Sequence, residues 1–215
     1  MTIRRRENWG EPGEVPSDAR EVSTDAELAE AMARGHSCVL EGGDLFRTLG
    51  GVNGGVNGSR RRTPVRRSEP RPGTRFVVDL MRVVIDEGPV LSAAASVIVR
   101  RRWIEGGALR GPLHVVMNAE FVGRCDVVPR GHPNDGRVEC LEVRSEMGTR
   151  QRLRAWRRSV DGTHLPHPSI DVRSVESVRI GPGVLLVDGR RFGRVSGVEV
   201  SVEADAGEVW LPRET

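Results

Sequence analysis

RFVVDLMRVVIDEG (75–88) followed by PVLSAAASVIVR (89–100) is the stretch that decides the fold class. Both segments are rich in β-branched residues and partly alternate apolar with polar positions, the period of a half-buried strand. The Glu-Gly-Pro break at 87–89 reads as a turn, so the two are expected to pair as neighbouring strands. The chain beyond repeats the pattern. LHVVMNAEF (113–121) and VECLEV (138–143) read as buried strands. From Ser169 onward, SIDVRSVESVRI, GVLLVDG, GVEVSVEA and GEVWLP are nearly all β.

Helical signals are few. Thr24 with Glu27 makes a capping box, Leu28 and Met32 share one face, and Gly35 supplies a stop, which predicts a helix over 23–35. GTRQRLRAWRR (148–158) predicts a second, with Leu153 and Trp156 opposite an arginine face. SCVLE (37–41) is a short strand, GGDLFRTLGG (42–51) holds a helical turn, and RRRWIEGG (100–107) is a short helical or turn segment. The fold class expected is α+β and β-rich, with few helices.

Composition narrows the chemistry. The 215 residues include 33 basic side chains, all arginine, against 30 acidic ones; lysine and tyrosine are absent. That excludes a Walker-A phosphate loop, a protein-kinase β3 lysine and a pyridoxal Schiff base. Arginine still offers phosphate a planar bidentate fork. Cys38, Cys125 and Cys140 show no CxxC spacing, which points away from a disulfide framework or zinc knuckle and toward a reducing cytoplasm. Neither a signal peptide nor an apolar run of about 18 residues is seen, so a soluble chain is expected.

Residues 1–22, polar and without periodicity, read as a flexible arm. Residues 51–74, a Gly-Asn repeat followed by SRRRTPVRRSEPRPGTR, read as a linker. The arginines there could suit an anionic surface, nucleic acid or lipid head group, but a solvated linker is the favoured reading, because no aromatics interleave to stack bases.

Three segments carry candidate chemistry. GGDLFRTLGG lacks the order of a dinucleotide fingerprint and is by itself a glycine-flanked turn. In HPNDG (132–136), Asn134 and Asp135 are hard-cation ligands in type, although a plain Asx turn is the favoured explanation. In VLLVDGRRFG (184–193), Asp188 could act as a general base, although Asp-Gly is also a strong hairpin signal. A zinc site from His132, His164 and His167 is a remoter option.

Taken in order, these segments resemble the C-terminal part of the diacylglycerol kinase and sphingosine kinase type of lipid kinase, related in fold to NAD kinase. The family's G-T-x-N-D-F-A-R-x-L-G motif is matched at Asp44, Phe46, Arg47, Leu49 and Gly50, and its V-D-L strand at Val78, Asp79 and Leu80. A later run is similar at Asn118, Gly123, Pro129, Asp135, Gly136 and Val143, and the V-D-G turn at Val187, Asp188 and Gly189. The resemblance implies a lipid kinase β-sandwich over 75–215 and a remnant of the nucleotide-proximal segment over 23–50. It implies ATP and Mg²⁺ as cofactors and a lipid hydroxyl as phosphoryl acceptor. Asp188 would be the base, Asp135 and Asn134 would organise a metal, and Gly42, Gly43, Asp44 and Arg47 would lie near the nucleotide.

The departures from the family pattern predict an incomplete kinase, either catalytically dead or completed by a partner chain that supplies ATP. Glu41 and Gly43 replace the family's threonine and asparagine, and Arg190 replaces the glutamate of V-D-G-E. About 40 residues precede the match, too few for the family's GGDGT-bearing nucleotide domain. The expected partner is a separate nucleotide-binding half or a second copy of the chain, in the cytoplasm or at the membrane surface. The rival expectation is a non-enzymatic, arginine-rich module for anionic lipid head groups or nucleic acid.

Overall fold

The computed structural model describes residues 9–51, 71–129 and 131–213. In chain order the first elements are β1 (Glu11–Val15), β2 (Arg20–Val22), α1 (Asp25–Met32), β3 (Cys38–Leu40) and α2 (Asp44–Thr48). Then come β4 (Arg71–Ile85), β5 (Val90–Ala93), β6 (Ser96–Arg100), β7 (Leu113–Met117), β8 (Phe121–Val122), β9 (Cys125–Asp126) and β10 (Val138–Val143). The chain closes with α3 (Thr149–Ser159), β11 (Ile170–Val175), β12 (Ser177–Ile180), β13 (Gly183–Val187), β14 (Arg190–Val195) and β15 (Val198–Pro212). It is a β-rich α+β fold, sandwich-like, with few helices.

Two sheets carry it. The first runs β1-β4-β15-β3-β2, with β5 pairing β4 and β12 pairing β15; the second runs β11-β10-β7-β6-β13-β14. A buried core of Val83, Val97, Val116, Leu185 and Val200 fills the space between them. Small aliphatic side chains suffice because sheets pack face to face at about 10 Å. A second core lies where α1 sets Leu28, Ala31 and Met32 against Phe76, Val78 and Val209. The outer face of the six-stranded sheet buries Val115, Leu141 and Val143 with Ala155 of α3.

The N-terminal helix forms as its caps dictate. Thr24 Oγ1 accepts the Glu27 N–H at 3.2 Å, and Glu27 returns the bond to the Ser23 N–H at 3.0 Å. At the other end Gly35, at φ +77°, lets the His36 N–H reach back to the Ala31 carbonyl.

Four expectations are corrected. Residues 11–22 are not a loose arm, since they contain β1 and β2. EPGEV has almost no apolar signal because β1 is an edge strand held by its ladder to β4, by Arg75–Glu11, and by the Trp210 indole lying over Gly13. Of the 51–74 linker, residues 52–70 lie outside the described residues, while residues 71–74 open β4. The 89–100 strand is two strands. β5 pairs β4, the chain breaks at Ala94 and Ala95, and β6 enters the other sheet. Finally, α3 is turned around, with Arg152 buried and Trp156 64% exposed. The Arg152 guanidinium donates to the carbonyls of Met147, Ala108, Arg144 and Gly111, so a cation replaces the expected indole under the helix.

Candidate functional site

The Asp-Gly hairpin between β13 and β14 forms as its sequence demands. Asp188 and Gly189 both have positive φ, at 45° and 77°, the two-residue turn that matches strand twist. The turn delivers the Asp188 carboxylate to the break between β5 and β6. There Oδ2 accepts the Ala94 N–H at 2.8 Å, and Oδ1 accepts those of Ala95 and Ser96, each at 2.9 Å. The Asp188 N–H donates in turn to the Ser96 carbonyl at 2.8 Å. Three of four carboxylate acceptor positions are taken, which leaves one on Oδ2. Burial pushes the Asp188 carboxyl up to about 6, the three N–H bonds pull it down, and the Asp25 charge adds to the rise.

Asp25, which sequence reasoning did not single out, organises the neighbouring segment. Its two oxygens accept the N–H groups of Asp44 at 2.7 Å and Leu45 at 3.0 Å, capping the start of α2. Gly42 and Gly43 are needed for that approach. A Cβ on Gly42 would meet the Ser23 carbonyl oxygen at 2.8 Å, and one on Gly43, which sits at φ +102°, would meet Asp25 Oδ1 at 2.6 Å. A helix start is where a phosphate would settle, and here a carboxylate already fills the place. No signal in the sequence linked Asp25 to the glycines, because the contact spans about twenty residues.

Asp44 and Arg47 are both engaged by the Phe121–Gly123 segment. Asp44 Oδ1 accepts the Gly123 N–H at 2.8 Å, and burial followed by the Asp25 charge pushes its carboxyl up to about 6. Arg47 stacks over Phe121 with 4.2 Å to the ring centroid and donates to the Gly123 carbonyl. Thr48 Oγ1 accepts the Glu120 N–H. The GGDLFRTLGG segment is thereby bolted to the 118–123 strand end. Asn118, buried, donates through Nδ2 to the carbonyls of Asp79 and Ala94, and its Oδ1 has no partner among the described residues. Arg190, in place of the family's glutamate, pairs with Glu30 of α1 at 2.5 Å.

The proposed metal turn is organised differently. Asn134 donates through Nδ2 to the Val77 carbonyl at 2.6 Å, and Asp135 Oδ1 accepts the Arg137 N–H at 3.0 Å. Asp79, wholly buried, spends its oxygens on the N–H groups of Gly136 and Asp205, each at 2.8 Å. Among the described residues no group of three or more His, Cys, Asp or Glu side chains gathers to hold a metal ion. The donors present therefore do not fit Mg²⁺ on their own, and the capped α2 terminus does not fit a nucleotide phosphate. The three histidines do not converge either. His132 Nδ1 accepts the Asn134 N–H, His167 Nδ1 accepts the Ser169 N–H, and His164 Nε2 bonds the Val127 carbonyl. Among the described residues no helix is long and apolar enough to cross a membrane.

Comparison with known proteins adds the fold. No family model matches the chain, and no curated protein does. Solved structures do. A "putative diacylglycerol kinase" from Bacillus anthracis str. Sterne aligns with TM-score 0.57 and 14% identity over 89% of this chain and 77% of that one. A diacylglycerol kinase from the same strain aligns with TM-score 0.51 and 13% identity over 81% and 66%. A third structure, of a "putative diacylglycerol kinase" from the same strain, gives TM-score 0.46 and 11% identity over 63% of this chain, which spans 57% of its length. At these identities the likeness establishes a diacylglycerol kinase-like, and hence lipid kinase-like, fold.

Proposed function

We propose that this chain is the C-terminal-like module of a lipid kinase in the NAD kinase-like superfamily, acting on a lipid hydroxyl only when a partner supplies the nucleotide half. The observation that carries this reading is spatial. Asn118 and Asp188, distant in sequence, meet at the β5–β6 break, where each bonds the 94–96 backbone, and Asp44 is tied to Gly123 just beyond Asn118; each is a residue of the family pattern. The fold-level likeness to diacylglycerol kinases supports the same reading.

Within the module, Asp188 is the group suited to take a proton. Its remaining Oδ2 acceptor position and a carboxyl near 6 match a base working close to neutrality. Asp25 and Arg190 mark what the module does not do. Asp25 fills the helix terminus and Arg190 is engaged by Glu30, so neither this terminus nor this arginine is left to hold phosphates. ATP and its metal therefore belong to the partner, and the role assigned to this chain stops at presenting the acceptor and receiving its proton.

The test is direct. Purified chain with ATP, Mg²⁺ and diacylglycerol should give no turnover, and adding a nucleotide-binding half should restore it. In the completed enzyme Asp188→Asn should lower the rate by about 10²-fold or more, the usual worth of a general base. Robust turnover by the chain alone overturns the partner requirement. Turnover in the completed enzyme that ignores Asp188→Asn removes the base.

A further inference from the structure

Trp103 and Ile104 are each 77% exposed, the most open large apolar side chains among the described residues. They stand side by side on the single 3₁₀ turn Trp103–Glu105, just past the end of β6. Scattered exposed apolar residues are ordinary, but two adjacent large ones at the tip of a turn form a patch.

What surrounds the tip is cationic. Arg100 and the Trp103 ring share the bare face of Gly107, where a Cβ would lie 3.2 Å from Arg100 Nη1 and 3.3 Å from the indole. Arg110 folds back over Gly106, and Arg101 over Gly111, in each case within contact of where a Cβ would be. A cleft of about 200 Å³ next to the indole is lined by Arg100, Trp103, Val184 and Arg191. Glu105 is the one acid between residues 100 and 112, and it stands 4.0 Å from Arg102. Among the described residues none of Arg100, Arg101, Arg110 or Arg191 has a carboxylate within 4.0 Å. Four guanidinium groups without an ion pair among the described residues therefore lie around an apolar point, Arg100 also donating to the Arg101 carbonyl at 3.1 Å.

We propose that the Trp103–Ile104 turn is a docking tip for an anionic lipid bilayer, with Arg100, Arg101, Arg110 and Arg191 meeting the head groups. The chemistry selects this occupant. An indole has an apolar body and one N–H, the combination that settles at head-group depth. Isoleucine adds purely aliphatic surface, which suits acyl chains and gives a stacked base nothing planar to meet. Guanidinium forks bind phosphate bidentately and draw on the negative surface potential of an anionic leaflet. The inference is independent of the kinase reading, because vesicle binding needs neither nucleotide nor turnover.

The test sediments the full chain with vesicles of phosphatidylcholine alone or mixed with phosphatidylserine. Binding is expected to the mixed vesicles and to fall steeply with added salt. Trp103→Ala/Ile104→Ser should weaken it by about tenfold or more, given the apolar area removed. Arg101→Gln/Arg110→Gln should weaken it and flatten the salt dependence. Val90→Ser, at a 52% exposed position on the β4–β5 hairpin, should leave it unchanged. In a Trp156→Phe background, brominated acyl chains should quench the tryptophan emission, a readout that requires no change at the tip itself. No vesicle binding, binding indifferent to the tip substitutions, or absence of quenching overturns the proposal. A single-stranded oligonucleotide bound through Trp103 in place of vesicles would overturn it too and assign the patch to nucleic acid.

Discussion

The outer face of the six-stranded sheet is finished in two different ways. Under α3 it is closed. Val115, Leu141 and Val143 are covered by Ala155, and Arg152 reaches through to four backbone carbonyls, of which, among the described residues, only that of Arg144 has a second donor, the Met147 N–H. Toward β13 and β14 no helix among the described residues covers it. Leu186 is only half-buried there, and Arg100 and Arg191 line a cleft beside Trp103. The same residue type does opposite work at the two ends: one arginine is internal scaffolding, and the others face outward. Arginine density by itself therefore says little about binding. What separates the cases is burial: Arg152 is buried and spends its donors on four carbonyls, whereas Arg100 gives a single bond, to the Arg101 carbonyl, and stays part-exposed beside the exposed Arg191.

The largest test of that contrast is Arg152→Met. It keeps the apolar stem but leaves the carbonyls of Ala108, Gly111, Arg144 and Met147 without the guanidinium as donor, and should cost about 3–5 kcal/mol in urea unfolding. Arg101→Gln at the open end should change stability by under about 0.5 kcal/mol. Equal effects would erase the distinction.

A smaller difference is expected between aliphatic residues. Leu141→Ala, at a closed position, should cost about 2–4 kcal/mol. Leu186→Ala at the open end should cost clearly less, because its side chain is already partly hydrated in the folded state. Denaturation of the two variants side by side measures the gap.

The smallest effect concerns pH. His164 lies against the closed end, bonded to the Val127 carbonyl, and burial holds its imidazole below the usual histidine value. A depressed histidine favours folding fully above the unfolded value, about 6.5, and loses that contribution as pH falls through the window below it. Asp44 and Asp188, raised to about 6, act in the opposite sense and regain stability as they are protonated between about 6 and 4. The wild-type profile should therefore be shallow. The difference between wild type and His164→Gln isolates the histidine, and a difference that does not grow on acidification would remove it from the account.

How much of this was legible in the sequence depends on how local each cause is. The α1 caps, the Gly35 stop and the Asp188-Gly189 hairpin were readable because each rests on contacts a few residues apart. The broad β character was readable from the 75–100 stretch and the segments after Ser169. What escaped has distant causes. EPGEV shows no alternation because its ladder partner lies about sixty residues away. The run of alanines at 93–95 reads as continuous strand, and only Asp188, from the far hairpin, makes it a break. Trp156 looked like the buried residue of α3 because apolarity is visible in a sequence, whereas a cluster of carbonyls waiting for a guanidinium is not. Gly42 and Gly43 drew attention as phosphate-type glycines, and their cause is the approach of Asp25 and Ser23.

The pairing of β4 with β15 has a consequence for how the molecule can come apart. The ladder runs from Ile85–Val198 to Gly73–Pro212, interrupted between Glu203 and Gly207, where the Asp205 N–H is caught by Asp79. One half of this ribbon supplies Met81, Val83, Val198 and Val200 to the inter-sheet core, and the other supplies Phe76, Val78, Leu80 and Val209 to the core beneath α1. Neither core owns its own frame. The molecule is therefore one cooperative unit spliced along a shared hinge-pin, and severing β15 near the interruption would dissolve both halves rather than release one intact.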